Sequence, residues 1–114
     1  MLVERRASTS RLPKAHGLNR RSMEVLRVVE GLEEALHSAS GAPANDSTLI
    51  IAERVVGPAI ATLVTKNSLD STLVSPAKVC TAGQDRVEPV LLRYAEKHGA
   101  DVNFSTTLVD LCAT

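Results

Sequence analysis

The stretch from Arg86 to His98 constrains the fold more than any other part of this sequence. Its apolar residues recur at the spacing that places side chains on one face of an α-helix. These residues are Val87, Val90, Leu91, Tyr94 and Ala95. Pro89 falls in the predicted first turn, where proline is tolerated, and Gly99 is a helix stop. Val102 and Phe104 then alternate with polar residues, as in a half-buried strand. A helix followed by such a strand predicts an α/β fold.

The first 39 residues predict a strand end, a basic loop and two helices. Leu2 and Val3 are too few for a whole strand and are followed by an acid, which indicates the last residues of a strand whose beginning is missing. Residues 7–18 contain serine, threonine, proline and glycine, and predict a loop. Asn19 is expected to cap a helix, Gly31 to interrupt it, and residues 32–39 to form a second helix. The apolar face of the first helix would be formed by Met23, Leu26 and Val29.

The middle and the end of the chain give weaker signals. Residues 48–56 are rich in leucine, isoleucine and valine, and predict a strand. Residues 62–77 are polar and without a clear period, which predicts a surface loop. Residues 108–111 are a candidate partner for the strand at Val102.

Two cysteines, Cys80 and Cys112, are compatible with one disulfide by number alone. The chain starts with acidic and basic residues where a secretory signal has its apolar region, so we expect reduced thiols in a cytoplasmic protein. We assign both cysteines and Tyr94 to packing. Met23 lies on the apolar helix stripe and is expected in the core.

Positive charge is concentrated at one end of an electrically neutral chain. The sequence contains 13 basic and 13 acidic residues, but residues 1–27 hold seven of the basic and only two of the acidic ones. This gives a local balance of +5 and leaves −5 for the rest, so an anionic ligand is expected near the start of the chain. The neutral total and an aromatic content of 2% argue against a nucleic-acid binder. No apolar run approaches the ~18 residues that a membrane span requires.

Strong single-sequence motifs are absent. The sequence contains no G-x-G-x-x-G, no phosphate-loop motif, no H-E-x-x-H and no C-x-x-C. Its three histidines are widely separated, and with two distant cysteines they do not predict a metal site. No catalytic residue is predicted.

Glu4 and the basic loop that follows it form the most specific constellation. An acid at a strand end can accept hydrogen bonds from both ribose hydroxyls of a dinucleotide, and nearby basic side chains and backbone amides can hold its diphosphate. The alternative is that residues 4–6 are an ordinary polar strand exit and that Arg20 and Arg21 form a solvated helix start.

Three groups of residues carry a resemblance to a known family. The first is LVERR at residues 2–6 with LPKAHGLNRRSMEVLR at 12–27 and Gly31-Leu32. The second is QDRVEPVLL at 84–92, running on to HGADVNF at 98–104, and the third is Gly57-Pro58. Their order and spacing resemble the FAD-dependent aromatic hydroxylases, the single-component flavoprotein monooxygenases. The matches cover about two-thirds of the chain.

The resemblance implies a role in binding FAD for four residues. Glu4 would bind the adenosine ribose, and Arg5 would lie near the adenine or ribose. Lys14 takes a position where the family usually has arginine or glutamine reaching toward the flavin side, although an ammonium lacks the planar donor fork of arginine. Gln84 matches a glutamine that contacts the diphosphate and ribityl region. The residues alone favour Gln84 as a cap of the helix near Arg86 over a ligand role, and Asp85 is an even better cap.

The resemblance also implies that the chain, residues 1–114, is a truncated internal fragment. We expect a partial Rossmann-like FAD-binding domain that lacks its first strand and glycine-rich turn, with a strand end, basic loop and helices at 1–39, a strand region at 48–60, and a helix and strands at 84–111. The full-length relatives hydroxylate phenolic or polyketide-like aromatic substrates with NAD(P)H and dioxygen. We expect the isolated chain to be inactive, to bind FAD weakly or not at all, and to self-associate through its open sheet edge.

A non-catalytic interaction or regulatory module derived from such an oxidoreductase is the alternative. The sequence leaves open whether the chain itself is an enzyme.

Overall fold

A computed structural model describes residues 1–41, 48–65 and 75–112. Helices and strands alternate irregularly along these ranges, in agreement with the expected α/β class. In chain order the elements are β1 (Leu2–Val3), β2 (His16–Leu18), α1 (Arg20–Leu26), α2 (Leu32–Ala39), β3 (Leu49–Ala52), β4 (Ala59–Val64), β5 (Cys80–Gly83), α3 (Gln84–Lys97) and β6 (Val102–Asn103). Within the described ranges, every helix is too short or too polar to cross a bilayer.

Helix α1 begins where Asn19 predicts, but it ends at Leu26, well before Gly31, so Val29 of the predicted apolar face lies outside it. Helix α2 covers the predicted residues 32–39. The Asn19 side chain accepts a hydrogen bond from the Ser22 backbone N–H at 2.9 Å and so caps α1. Gly31 precedes α2 with φ +76°, a left-handed conformation that glycine adopts without a steric penalty. Met23 is fully buried, which confirms its predicted place in the core.

Strands β2 and β5 pair in antiparallel orientation, and neither was predicted. Residues 7–18 were expected to be loop throughout, but the last three of them form β2. Gly17 has φ +116°, and a β-carbon there would lie 3.2 Å from the Cys80 carbonyl oxygen. This short segment is therefore a strand because it hydrogen-bonds to β5, and not because its residues have a high strand propensity.

Helix α3 starts two residues earlier than the apolar stripe predicts. Gly83 is both the last residue of β5 and the N-cap of α3, without a side-chain capping bond. Pro89 is consequently the sixth helical residue and lies inside the helix rather than in its first turn, as was predicted. Gly99, with φ +83°, follows the C-cap His98, so the predicted stop is confirmed.

Strands β1 and β6 pair in parallel, with Leu2 opposite Val102. Backbone hydrogen bonds continue past both strands: the Glu4 N–H donates to the Asn103 carbonyl at 2.9 Å, and the Ser105 N–H donates to the Arg6 carbonyl at 2.8 Å. The predicted pairing of residues 108–111 is wrong. Leu108, Val109 and Leu111 are exposed and outside regular structure.

Strands β3 and β4 form an antiparallel hairpin whose apolar side chains are exposed. Ile51 retains 47% and Ile60 69% of its accessible surface. The strand predicted over 48–56 is shorter than expected, because a turn closed by the Gly57 N–H and the Arg54 carbonyl places Val55 and Val56 outside it. The loop predicted over 62–77 is also corrected: residues 62–64 belong to β4, and Ser75 and Ala77 are buried. Residues 66–74 lie outside the described ranges.

The core of the described residues lies between α1, α2, α3 and β5. It consists of Met23, Leu32, Leu36, Ala77, Cys80, Ala82, Val87 and Val90. Cys80 and the partly buried Tyr94 belong to this packing, as predicted, but Cys112 is exposed. Both cysteines are free thiols.

Candidate functional site

A groove of about 390 Å³ lies between β1, β6 and α3. We call it the β1–α3 groove. Its apolar wall includes Leu2, Leu91, Val102 and Phe104. Its polar residues come from two distant parts of the chain and are Glu4, Arg6, Ser8, Thr9, Ser10, Gln84 and Glu88. The fold therefore brings Glu4 and Gln84, two of the four predicted FAD-binding residues, to one cavity.

Glu4 follows β1 directly and is half-buried. Its backbone is held in the β1–β6 ladder, where its N–H donates to Asn103 and its carbonyl accepts from Thr106. One carboxylate oxygen, Oε1, accepts the Arg6 backbone N–H at 2.8 Å. The side chain is thus held at the end of the strand, where its carboxyl oxygens can accept hydrogen bonds from hydroxyl groups.

The basic loop between β1 and β2 builds a second cavity of about 290 Å³. We call it the loop cavity. Arg6, Arg11 and Lys14 are its basic lining residues, and Ser8, Thr9 and Ser10 line both cavities together with Arg6. Lys14 thus lies next to the β1–α3 groove. Arg5 is exposed and lines neither of these two cavities, so the structure does not bring it together with the other predicted residues.

Ion pairing concentrates the uncompensated positive charge in this loop. On the helical side, Arg21 pairs with Glu24 at 2.9 Å and Arg27 with Glu33 at 3.4 Å. Hydrogen bonds from Ser75 and Arg21 lower the pKa of Glu24. Among the described residues, no ion pair within 4 Å involves the basic residues of the loop, although Arg6 and Lys14 interact with the Glu88 carboxylate at longer range. An anion can therefore still approach these basic side chains.

Gln84 is the first residue of α3, and its backbone and its side chain form hydrogen bonds with different residues. Its backbone N–H donates to the Ala15 carbonyl at 2.9 Å, which ties the end of the basic loop to the helix. Its side-chain Nε2 donates to Oε1 of Glu88, one turn further along α3. The alternative in which Gln84 or Asp85 caps the helix is wrong, because Gly83 occupies that position. Asp85 lies in the first turn, and its Oδ1 has no hydrogen-bond partner among the described residues.

Glu88 was not among the predicted site residues. Its Oε2 accepts the Ser10 backbone N–H at 2.5 Å, while Oε1 accepts from Gln84. The hydrogen bonds from Gln84 and Ser10 lower the pKa of Glu88, burial opposes them with a smaller effect, and the charges of Arg6 and Lys14 add a still smaller lowering. The i, i+4 spacing of Gln84 and Glu88 is the sequence signal that could have pointed to it.

Cys80 has none of the features of a reactive thiol. It is fully buried, its Sγ donates to the Leu36 carbonyl at 3.3 Å, and burial raises its pKa. The described residues contain no group of three or more histidine, cysteine, aspartate or glutamate side chains that could hold a metal ion.

The donors and acceptors of this site fit a nucleotide cofactor. A fixed carboxylate at a strand end suits ribose hydroxyls, and the unpaired basic side chains of the loop suit a diphosphate. The Gln84 amide in the β1–α3 groove has both a donor and an acceptor and can serve either part of such a ligand. The apolar wall of the β1–α3 groove adds a surface against which an apolar part of such a ligand can pack.

Curated proteins of similar sequence are hydroxylases and monooxygenases. The chain is 43% identical over 120 residues to aklavinone 12-hydroxylase DnrF from Streptomyces peucetius subsp. caesius, a match that covers 99% of this chain and 24% of the hydroxylase. It is 31% identical over 116 residues to 2,4-dichlorophenol 6-monooxygenase from Delftia acidovorans, covering 97% of this chain and 20% of that enzyme. The chain therefore spans about a quarter or less of the length of these relatives.

A solved structure supports the same relationship. The fold is similar to that of an aklavinone-11 hydroxylase in a ternary complex with FAD and aklavinone, with a TM-score of 0.78 and 32% identity over 90% of this chain and 20% of that one. Residues 1–113 match the family described as FAD binding domain. The chain therefore belongs to the FAD binding domain family, as its resemblance to the FAD-dependent aromatic hydroxylases predicts.

Proposed function

We propose that this chain forms one part of the FAD site of a monooxygenase that hydroxylates phenolic or polyketide-like aromatic compounds. The observation that carries the proposal is the meeting of Glu4 and Gln84, 80 residues apart in sequence, in one groove beside the basic loop. Glu4 would accept hydrogen bonds from the adenosine ribose, and Gln84 would contact the diphosphate and ribityl region. Lys14 would supply charge from the loop cavity, and Arg5 a longer-range attraction near the adenine or ribose.

In such an enzyme FAD supplies the redox chemistry, with NAD(P)H as reductant and dioxygen as oxidant. The residues of this chain would bind and orient the cofactor rather than react. No catalytic group is proposed among them. The apolar wall of the β1–α3 groove would limit the access of water to the bound nucleotide.

The parallel pair β1–β6 supports a finer structural proposal. We propose that it is part of a Rossmann-like sheet, within a partial FAD-binding domain over residues 1–114, without the sheet's first strand and glycine-rich turn. Those two elements would supply the backbone amides that bind the diphosphate in a complete domain. The sequence-based expectation of weak or no binding is thereby narrowed: Glu4, Lys14 and Gln84 alone would bind FAD weakly but measurably.

Titration of the ¹⁵N-labelled chain with FAD, followed by NMR, tests the proposed site, because the method detects millimolar affinity. We expect shifts in the amide resonances of residues 4–15 and in the side-chain amide of Gln84. Glu4→Gln should reduce the affinity about tenfold, since a carboxylate bonded to hydroxyls contributes more than a neutral amide. Glu30→Gln removes the same charge from an exposed position and is the matched control. Equal affinities of the two variants would contradict the role of Glu4.

The isolated chain is proposed to be inactive. With FAD, NADPH and a phenolic substrate present, oxygen consumption should equal that of the same mixture without protein. A purified chain that retains yellow flavin and consumes oxygen in an NADPH-dependent way would refute this part of the proposal.

A non-catalytic interaction module is the second candidate, and the exposed β3–β4 hairpin favours it. Ile50, Ile51 and Ile60 keep about half or more of their surface accessible, which is unusual for isoleucine. In this case we expect the chain to self-associate and Ile60→Lys to reduce the association, as measured by sedimentation velocity. The module would also show no FAD-induced shifts, so the NMR titration distinguishes the two candidates.

A further inference from the structure

The Glu88 carboxylate joins two segments that are 74 or more residues apart in sequence. Its Oε2 accepts the Ser10 N–H from the basic loop, and its Oε1 accepts the Gln84 amide from the start of α3. Both oxygens therefore have a donor, and both donors belong to residues that line the β1–α3 groove.

The position of Ser10 makes this contact important for the shape of the loop cavity. Ser10 lies between Arg6 and Lys14 and lines both cavities. The loop is fastened to α3 at Ser10 through Glu88 and at Ala15 through the Gln84 backbone. The intervening residues 11–14 include Arg11 and Lys14. The two attachments therefore fix the backbone position from which these basic side chains extend.

The charge of Glu88 is unexpected beside a site for an anion. A carboxylate repels a diphosphate, and it also offsets the charges of Arg6 and Lys14, which act on its own pKa. On charge alone, its removal should strengthen the binding of FAD. A carboxylate is useful here only if its geometric effect on the loop and on Gln84 outweighs that repulsion.

We infer that Glu88 is a positioning residue, which holds the Ser10 segment of the basic loop and the Gln84 side-chain amide in the arrangement that receives FAD. The inference rests on the proposed function. It predicts that replacing Glu88 weakens FAD binding, whereas charge alone predicts that the binding becomes tighter. The two explanations can therefore be distinguished in the intact chain.

Glu88→Gln is the decisive variant, because it keeps the size of the side chain and replaces one acceptor oxygen by a donor. We expect amide hydrogen exchange at Ser10 to become about tenfold faster without any ligand, and the Gln84 side-chain resonances to shift. We also expect the affinity for FAD in the NMR titration to fall about tenfold. Glu96→Gln removes the same charge from an exposed position of α3 and should change none of these quantities.

Three results would overturn the inference. An unchanged exchange rate at Ser10 would show that the carboxylate does not hold the loop. Unchanged or tighter FAD binding by Glu88→Gln, with wild-type binding intact, would refute positioning while leaving the proposed function in place. A wild-type chain that does not respond to FAD at all would instead refute the proposed function, and the inference with it.

A second variant covers the case in which Glu88→Gln does not fold. Ser10→Pro removes the donating N–H from the loop side and leaves α3 unchanged. It should weaken FAD binding by a similar factor, and unchanged affinity would overturn the inference. Far-UV circular dichroism establishes that each variant is folded.

Discussion

Replacing Leu36 by alanine should remove a large part of the stability of this chain. Leu36 is fully buried in α2, which packs against α3 and β5, and its carbonyl accepts the Cys80 thiol. The substitution deletes three carbon atoms, and about 0.8 kcal/mol for each buried methylene gives about 2.4 kcal/mol. The cavity left behind raises the expected loss to about 3 kcal/mol. The described core has only eight buried apolar residues, so few neighbours can relax into the space.

Urea unfolding followed by circular dichroism at 222 nm measures this loss. Leu108→Ala is the matched control, since it makes the same chemical change at a side chain that is 64% exposed, and it should cost less than about 0.5 kcal/mol. Tyr94, the only tyrosine, gives a second probe from the core. A loss below about 1 kcal/mol for Leu36→Ala, or equal losses for the two variants, would refute the packing described for α2.

Three further outcomes are expected. Ellman's reagent should modify the exposed Cys112 within seconds to minutes in the folded chain and the buried Cys80 only on unfolding; equal rates would contradict the burial of Cys80. Gly17→Ala should cost about 1–3 kcal/mol in urea unfolding, because alanine is strained at φ +116°, whereas Gly41→Ala should cost less, since its added carbon meets only the end of a flexible arginine. The folded pKa of Glu88 lies below its ordinary 4.5, so its carboxylate stabilises the fold above that pH and the stabilisation is lost as the pH falls through the lower folded value. The stability difference between wild type and Glu88→Gln should therefore shrink on acidification below pH 4.5, and a constant difference would contradict this role.

Helices were predictable wherever their signals are local. The Asn19 cap and the Gly99 stop each act within a few residues of their own position, and the structure confirms both. The interruption predicted at Gly31 is wrong, because α1 already ends at Leu26 and Gly31 is the N-cap of α2. The start of α3 was missed because its N-cap, Gly83, uses no side chain and is at the same time the end of a strand.

Strands were harder to predict because most of them are short. Both β2 and β5 have fewer than five residues, too few for a period of two to be recognised, and each depends on the other for its hydrogen bonds. At residues 108–111 a strand was predicted that does not form. Their apolar side chains are exposed, and apolar residues without a partner strand are not sufficient to form a strand. Val55 and Val56 were assigned to a strand by their β-branched side chains but are the central residues of a turn.

The sequence pointed to two residues that the fold brings together at the candidate site, and their roles stay predictions. Glu4 and Gln84 were found through family motifs, and the fold places both at one groove. Glu88 was missed because its role depends on the Ser10 N–H, which is 78 residues away and carries no side-chain signature. A contact from a side chain to a distant backbone group leaves no pattern in a single sequence.

The attachment of the basic loop at separate points has a consequence for insertions and deletions. Hydrogen bonds hold the loop at three points, which are Arg6 to Ser105, Ser10 to Glu88 and Ala15 to Gln84. The loop therefore consists of two short spans, residues 7–9 and residues 11–14. A residue added within either span lengthens one span at a small entropic cost and leaves the flanking strands in register. A residue added in β2 would instead turn its side chains to the opposite face. The size of the loop cavity can therefore vary in evolution, or be altered by design, independently of the sheets that support it.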